Sequence, residues 1–402
     1  MKTSTAKSLV LLPAAALLAS LAHAGGPETQ RNKHALHYQI TQLTSLNGSS
    51  STGVSINDLG WVAGRSNLPS GTRHAALWRN NVVTDLGTLG SPDKTSTILW
   101  PVKNLRGVLS GISYSDEPDP NLEDWSCSAF IASAGTRCFG FRWENGVMTA
   151  LRPFPGGTHS FATGTNNFKQ TVGWAENDVL DPTCVAPQKL QFRAVIWGAN
   201  GKISRELSPL PGADANGVRD TSTAATAIND RGQVVGISGI CDVAVGRLSA
   251  KHSVLWDHGK PINIGDFGGT SWNTPNMINQ RGDIVGFANA SAADGIEFNP
   301  RAFLKIPGRS IVNLLTLPGD ANSTAKGINE WRQVVGQSCD ADGNCRAFLW
   351  QDGKMMDLNV LAGSEDVLTT ANDIDDFGRI TGQGFDDESG KFFAYVATPV
   401  WR

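Results

Sequence analysis

The sequence predicts an all-β chain folded as a β-propeller of seven four-stranded blades. Three observations predict it. An asparagine followed seven residues later by a glycine recurs along the chain, as in "AINDRGQVVGIS", "MINQRGDIVGFA" and "GINEWRQVVGQS". Each copy leads into an alternating strand such as "RAFLW" and then a turn such as "QDG". The last copy stops one strand short, and "HYQITQL", 37–43, at the other end of the chain can supply the missing strand. Closing the ring this way removes the sheet edges that an open stack would expose. The rival arrangements are eight blades or an irregular stack.

The elements follow in chain order. Lys2 and Lys7 precede an apolar run ending in "AHA", which reads as a secretory signal peptide over 1–24, cleaved near Ala24. Residues 25–36 read as a flexible lead, and 37–402 as one propeller domain. No other run approaches the twenty apolar residues of a membrane span, and no cysteine at the cleavage site offers a lipid anchor. Losing the two lysines takes the formal charge from −3 to −5, which argues against nucleic acid or an anionic membrane as partner.

The repeat asparagines are Asn57, Asn104, Asn166, Asn229, Asn279 and Asn329, with Asp375 in the seventh copy. Their glycine partners are Gly64, Gly111, Gly173, Gly236, Gly286, Gly336 and Gly382. The period, about 53 residues, is that of stacked or circular supersecondary units. The asparagine suits the first position of a type I turn, where its side chain caps the backbone. Gly60, Gly107, Gly232, Gly282 and Gly378 close that turn. The later glycine implies close approach of a neighbouring backbone or ring.

Taken together, "IND–G–VVG", "HA–LW" and "DLGTLG" resemble the HAF-repeat family of bacterial extracellular proteins over residues 38–398. Copies two, three and seven depart from the pattern: "VKNLRGVLSG" lacks the triplet, "GTNNFKQTVG" lacks the turn glycine, and copy seven lacks the tryptophan. The resemblance implies an extracytoplasmic repeat protein and assigns no catalytic residue.

Insertions fall in one loop type. The interval from the repeat glycine to the tryptophan position runs 14, 32, 24, 20, 19, 14 and 15, so length varies between strands two and three. These loops share a face with the blade-to-blade connections, and variable loops on a rigid scaffold carry function. The working face is therefore expected from 65–73, 113–137, 175–192, 238–251, 288–300, 338–346 and 384–391. All six cysteines lie there or, for Cys138, directly after it. Cys339 and Cys345 flank a tight turn, Cys127 and Cys138 share one insertion, and Cys184 and Cys241 occupy matching loops of adjacent blades. Three disulfides in those pairs are expected of an exported chain. A cysteine metal site is the rival, without a CxxC pair to support it.

Candidate binding residues come from the blade-two insertion: Tyr114, Asp116, Glu117, Asp119, Asp124 and Trp125, with Glu123 beside them. Blade three adds Glu176, Asp178 and Asp181. Clustered carboxylates take Ca²⁺ through oxygen ligands, and an aromatic neighbour stacks on a sugar; a solvated acidic loop is the plainer reading. No cofactor is otherwise implied, and the metal question stays open. "DADGN", 340–344, reads as a turn rather than a calcium loop. His74 and His252 recur at a position held elsewhere by Arg193, Arg301 and Arg346, which marks them as structural. His159 is off-pattern and is a further candidate. Trp78, Trp143, Trp197, Trp256 and Trp350 are inter-blade core. Trp100 replaces a small residue near the axis (Gly53, Ala162, Ala225, Ala325, Ala371) and is placed to plug or line the channel. Thr52, Ser160, Thr223, Thr274, Ser323 and Thr370 recur at the starts of inner strands.

No nucleophile elbow, HExxH, phosphate loop or dinucleotide fingerprint occurs. The reading that results is an exported, non-catalytic, monomeric binding scaffold. Its partner is a protein or an extracellular glycan, held on the insertion face. The alternative is a polysaccharide-active enzyme, a glycosidase or lyase, with carboxylates on that same face.

Overall fold

The computed structural model describes residues 36–123, 126–212, 214, 216–242, 245–290 and 298–401. Seven antiparallel sheets of four strands each follow one another along the chain. Blade one is representative: Ser51–Ile56, Val62–Asn67, Arg73–Arg79 and Val82–Asp85, in spatial order from the axis outward. Blade seven is built from Val367–Ile374, Ile380–Asp386 and Lys391–Trp401, and its outer strand is Leu36–Gln42 from the start of the domain. The closing register runs from Leu36 opposite Trp401 to Gln42 opposite Tyr395. Among the described residues, helix is confined to two short turns, Ser126–Ala129 and Leu358–Ala362.

The repeat residues each have a mechanical task. A Cβ added at any of the seven repeat glycines would sit 1.8–2.3 Å from a carbonyl oxygen of the inner strand, Thr52 O for Gly64 and Ala224 O for Gly236. In blades one and three to seven the inner strand slips register beside that glycine. Such a bulge pushes a carbonyl toward the second strand, and only glycine leaves room for it.

The repeat asparagine does two things. Its Oδ1 accepts from the backbone amides two and four residues on, as Asn229 does from Arg231 and Gln233 at 3.1 Å each. Its Nδ2 donates to the next blade. Asn57, Asn104, Asn166, Asn229, Asn279 and Asn329 each reach a carbonyl of the following copy at 3.0–3.2 Å. Asp375 has no amide to give; Arg379, ion-paired to it, donates to Asp58 O at 2.9 Å instead. A parallel circuit runs one residue further along. The backbone amides of Leu105, Asn167, Asp230, Gln280, Glu330 and Asp376 donate to a side chain of the next copy at 2.6–3.0 Å. These circuits tie blade to blade at the end of the channel opposite the insertions.

Between blades the core is aromatic and aliphatic. Trp78, Trp197 and Trp256 are fully enclosed, and each indole N–H donates to a carbonyl outside its own blade: Thr44, Arg152 and Ser208. The recurring His/Arg position is structural as expected. His74 lies between Asp85, 2.9 Å away, and the Pro92 carbonyl, while Arg346 bridges Asp320 and Asp357.

Three disulfides join Cys127 to Cys138, Cys184 to Cys241 and Cys339 to Cys345. The second links the insertions of blades three and four, which also pair through Val185 and Asp242.

Candidate binding cavity at the ring axis

Inner-strand side chains three residues before the repeat asparagine face the next blade around the axis. Thr163, Thr226, Asn276 and Asn372 in this place each donate to a carbonyl of the neighbouring inner strand at 2.6–3.0 Å. Blade six carries Lys326 there, the one charged residue of the set. Its Nζ reaches Asn372 Oδ1 at 3.2 Å and otherwise faces the lumen.

The residue after the repeat glycine varies most informatively. Around the ring it is Arg65, Ile112, Trp174, Ile237, Phe287, Gln337 and Gln383. Blades two to five are thus apolar here, and blades six, seven and one are polar. Between these halves lies a cavity of about 470 Å³ on the insertion side of the axis. Leu99, Trp100, Phe130 and Phe287 line one side. Thr52, Thr324, Thr370, Gln337, Gln383 and Asn372 line the other, together with Arg65 and Lys326.

Trp100 takes the place foreseen for it. Its ring meets Phe130, Phe161 and Trp174 edge-on, with centroids 5.5–6.0 Å away, and Phe161 stacks on Trp174 at 4.0 Å. The local reason is sequence. Leu-Trp-Pro, 99–101, replaces the small residues of other copies, and proline cannot donate to a ladder. The inner strand of blade two is accordingly cut to Ser96–Thr97.

Arg65 and Lys326 retain some surface toward the lumen but lie deep in the ring, with little bulk water around them. Desolvation, and then the charge of Arg65, push the Lys326 ammonium down to about 8. Desolvation followed by the charge of Arg73 pushes Arg65 down to about 10. Among the described residues neither cation forms an ion pair, and no carboxylate lines the cavity. The nearest acid along the axis, Asp373, is held by Lys103 at 3.0 Å, by Ser55 and by the Ile56 amide.

The acidic insertion is arranged otherwise than expected. Tyr114 is buried opposite Cys138 in the blade-two sheet and offers no platform to a sugar. Asp116 is exposed and accepts from Ser91 at 2.7 Å. Glu117 pairs with Arg137 and Arg152. Asp119 turns inward to His159 Nε2 at 3.3 Å. Burial acts to raise the Asp119 carboxyl, but hydrogen bonds from His159 and from the amides of Asn121 and Glu123 hold it below the usual range. His159 is itself enclosed, its Nδ1 accepting from the Cys138 amide at 3.1 Å. These residues anchor the insertion. Asp124 and Trp125 lie outside the described residues. Among the described residues no three His, Cys, Asp or Glu side chains converge as a metal site.

One acidic pair does form, Glu123 with Glu176, both buried. Glu176 accepts from the Thr158 and His159 amides, and Gln188 Nε2 lies 3.2 Å from Glu176 and 3.3 Å from Glu123. Burial, then the neighbouring Glu123 carboxylate, raise the Glu176 carboxyl well above the usual range.

Arg65 and Lys326 were missed in the sequence. The signal was present: aligned by repeat, each is the one charged residue at its position around the axis.

No family model and no curated protein matches this chain. Solved structures of low identity do. The Dos1 propeller is 12% identical, with 89% of this chain and 94% of that chain covered and a TM-score of 0.42. A lectin from Aleuria aurantia is 7% identical over 77% and 94%, with a TM-score of 0.34. A gluconolactonase from Xanthomonas campestris is 15% identical over 60% and 77%, with a TM-score of 0.31.

Proposed function

We propose that the protein is an exported, non-catalytic binding module of the HAF-repeat type whose ligand, a glycan rather than a protein, enters the axial cavity from the insertion face. One observation carries this reading: the cavity lining sets an aromatic wall against a wall of amides and hydroxyls. Apolar surface with a few convergent polar groups, on this scale of volume, is the usual make-up of a ligand site. A protein surface would not fit inside it, and a sugar ring would, with one apolar face and many hydroxyls. The three disulfides suit an oxidising compartment. Among the described residues no helix is long and apolar enough to cross a membrane.

The test is the melting temperature of the disulfide-intact protein against a panel of neutral and acidic saccharides. A ligand of the folded state raises Tm with its concentration. The expected result is a rise with at least one saccharide, lost in Trp100→Ala. No rise across the panel would sink the reading. The enzyme alternative draws on Glu123–Glu176, a buried carboxyl pair in which burial and the neighbouring Glu123 hold the Glu176 pKa well above the usual range. Release of reducing ends from a polysaccharide, abolished by Glu176→Gln, would favour it.

A further inference from the structure

We propose that the axial cavity is an anion site that takes a polyhydroxylated carboxylate of the uronic-acid class, its carboxylate held between Arg65 and Lys326. This rests on the cavity being the binding site. Two cations from blades one and six face one lumen with no acid between them. Confining like charges away from water is unfavourable unless something neutralises them. Elsewhere along the axis the chain does so itself, as where Lys103 meets Asp373. At the insertion end it does not, although each neighbouring blade fills the Lys326 position with an uncharged residue. A ligand carboxylate completes that balance, and a guanidinium beside an ammonium suits a planar two-oxygen group.

The remaining lining argues for the rest of the ligand. Asn372, Gln337, Gln383 and the threonines supply donors and acceptors for hydroxyls. Trp100, Phe130 and Phe287 supply a face for ring C–H groups. Sulfate or phosphate would use the cations and leave the aromatic wall idle.

Titration calorimetry with the disulfide-intact protein tests this with three probes: D-glucuronate, D-glucose and tri-galacturonate. D-glucuronate is expected to bind and D-glucose not to. Lys326→Met and Arg65→Met should each weaken D-glucuronate about tenfold to a hundredfold, the scale of a charged hydrogen bond. Both variants should keep or gain melting temperature, since an unpaired buried charge is removed; a large loss would mark the two residues as structural and overturn the proposal. Affinity should also fall as pH rises through about 8, where Lys326 loses its charge. The titratable groups nearest Lys326 are Arg65 and, one repeat position along the axis, Asp373 with Lys103. Tri-galacturonate binding with D-glucuronate silent would place the site on a chain end and keep the proposal. Equal binding of D-glucose, or binding of an acid unaffected by both variants, overturns the anion site and leaves the cavity reading standing. Silence of all three overturns the proposal, and the saccharide panel then decides the cavity reading.

Discussion

At one end of the axial channel six of the seven blades contribute an asparagine to the same bond; at the other, the residues change from blade to blade, from Arg65 through Ile112, Trp174, Ile237 and Phe287 to Gln337 and Gln383. The asparagine end closes one circuit of hydrogen bonds and carries a second from Leu105 round to Asp58, and Asp58, Asp230, Glu330 and Asp376 leave it acidic. The insertion end is basic and divided into an aromatic and a polar half. The same seven blades serve both ends, so the difference lies in the side chains that their inner and second strands carry and in the blade-two insertion, which brings Phe130 to the cavity. Repetition marks groups whose partners lie in the fold, and departure from repetition marks groups whose partners do not.

The largest effect should come from the covalent staple of the insertion end. Replacing Cys184 and Cys241 together by serine frees a loop with a separation of 57 residues. In the loop-entropy description that costs about 4 kcal/mol. Urea unfolding of the variant, compared with the parent, measures it. A change under about 1 kcal/mol would mean that the insertions are held by packing instead.

The asparagine end should break next. Asn229→Ala removes a turn cap and an inter-blade bond at once, leaving the Asn279 carbonyl only the Gly282 amide of its own turn. A cap and a buried bond together predict a loss of about 2–3 kcal/mol. Lys326→Met, at the other end of the same channel, should cost nothing. If the two variants lose stability equally, the contrast between the ends is wrong.

A pH series separates the acids. Asp373 is raised by burial to about 6, and Glu176 is raised as well. A carboxyl whose folded value exceeds its unfolded value favours folding while it stays protonated. That contribution is complete below the unfolded carboxylate range and is lost as pH rises through the folded value. Melting temperature should therefore decline from about pH 4 upward, the Asp373 share being lost by the time pH has passed about 6. Glu176→Gln keeps a donor toward Glu123 and cannot ionise. It should match the parent at low pH and exceed it increasingly as pH rises; parallel curves would show that Glu176 does not titrate in this window.

Much of this was legible in the sequence because it recurs. A glycine that makes room for the inner strand recurs seven times, an asparagine shared by two blades six times and a tryptophan between blades five times, and the lone cysteines were paired by their place in the repeat. Burial in the degenerate copies left no such mark. Nothing in "SYSDEPDPNLED" distinguishes Asp116, which stays in solvent, from Asp119, which turns in toward His159. That choice depends on a histidine forty residues away in another blade. Arg65 and Lys326 meet only because the ring closes.

The smallest effect tests whether the turns follow the rule of repetition. Five copies close the asparagine turn with glycine at φ +70 to +85°, whereas Lys169 in blade three adopts φ +59°. A side chain in that region costs about 1–2 kcal/mol. Glycine relieves it, but its freer unfolded chain returns about 0.5–1 kcal/mol. The exposed pair of Lys169 with Glu144, at 2.6 Å, contributes little. Lys169→Gly should therefore raise stability by about 0.5 kcal/mol. The Lys169 carbonyl accepts from Arg142 whichever side chain is present, so the inter-strand contact survives the change. A clear loss in urea unfolding would mean that the ion pair outweighs the backbone, and that this degenerate copy has traded turn geometry for charge.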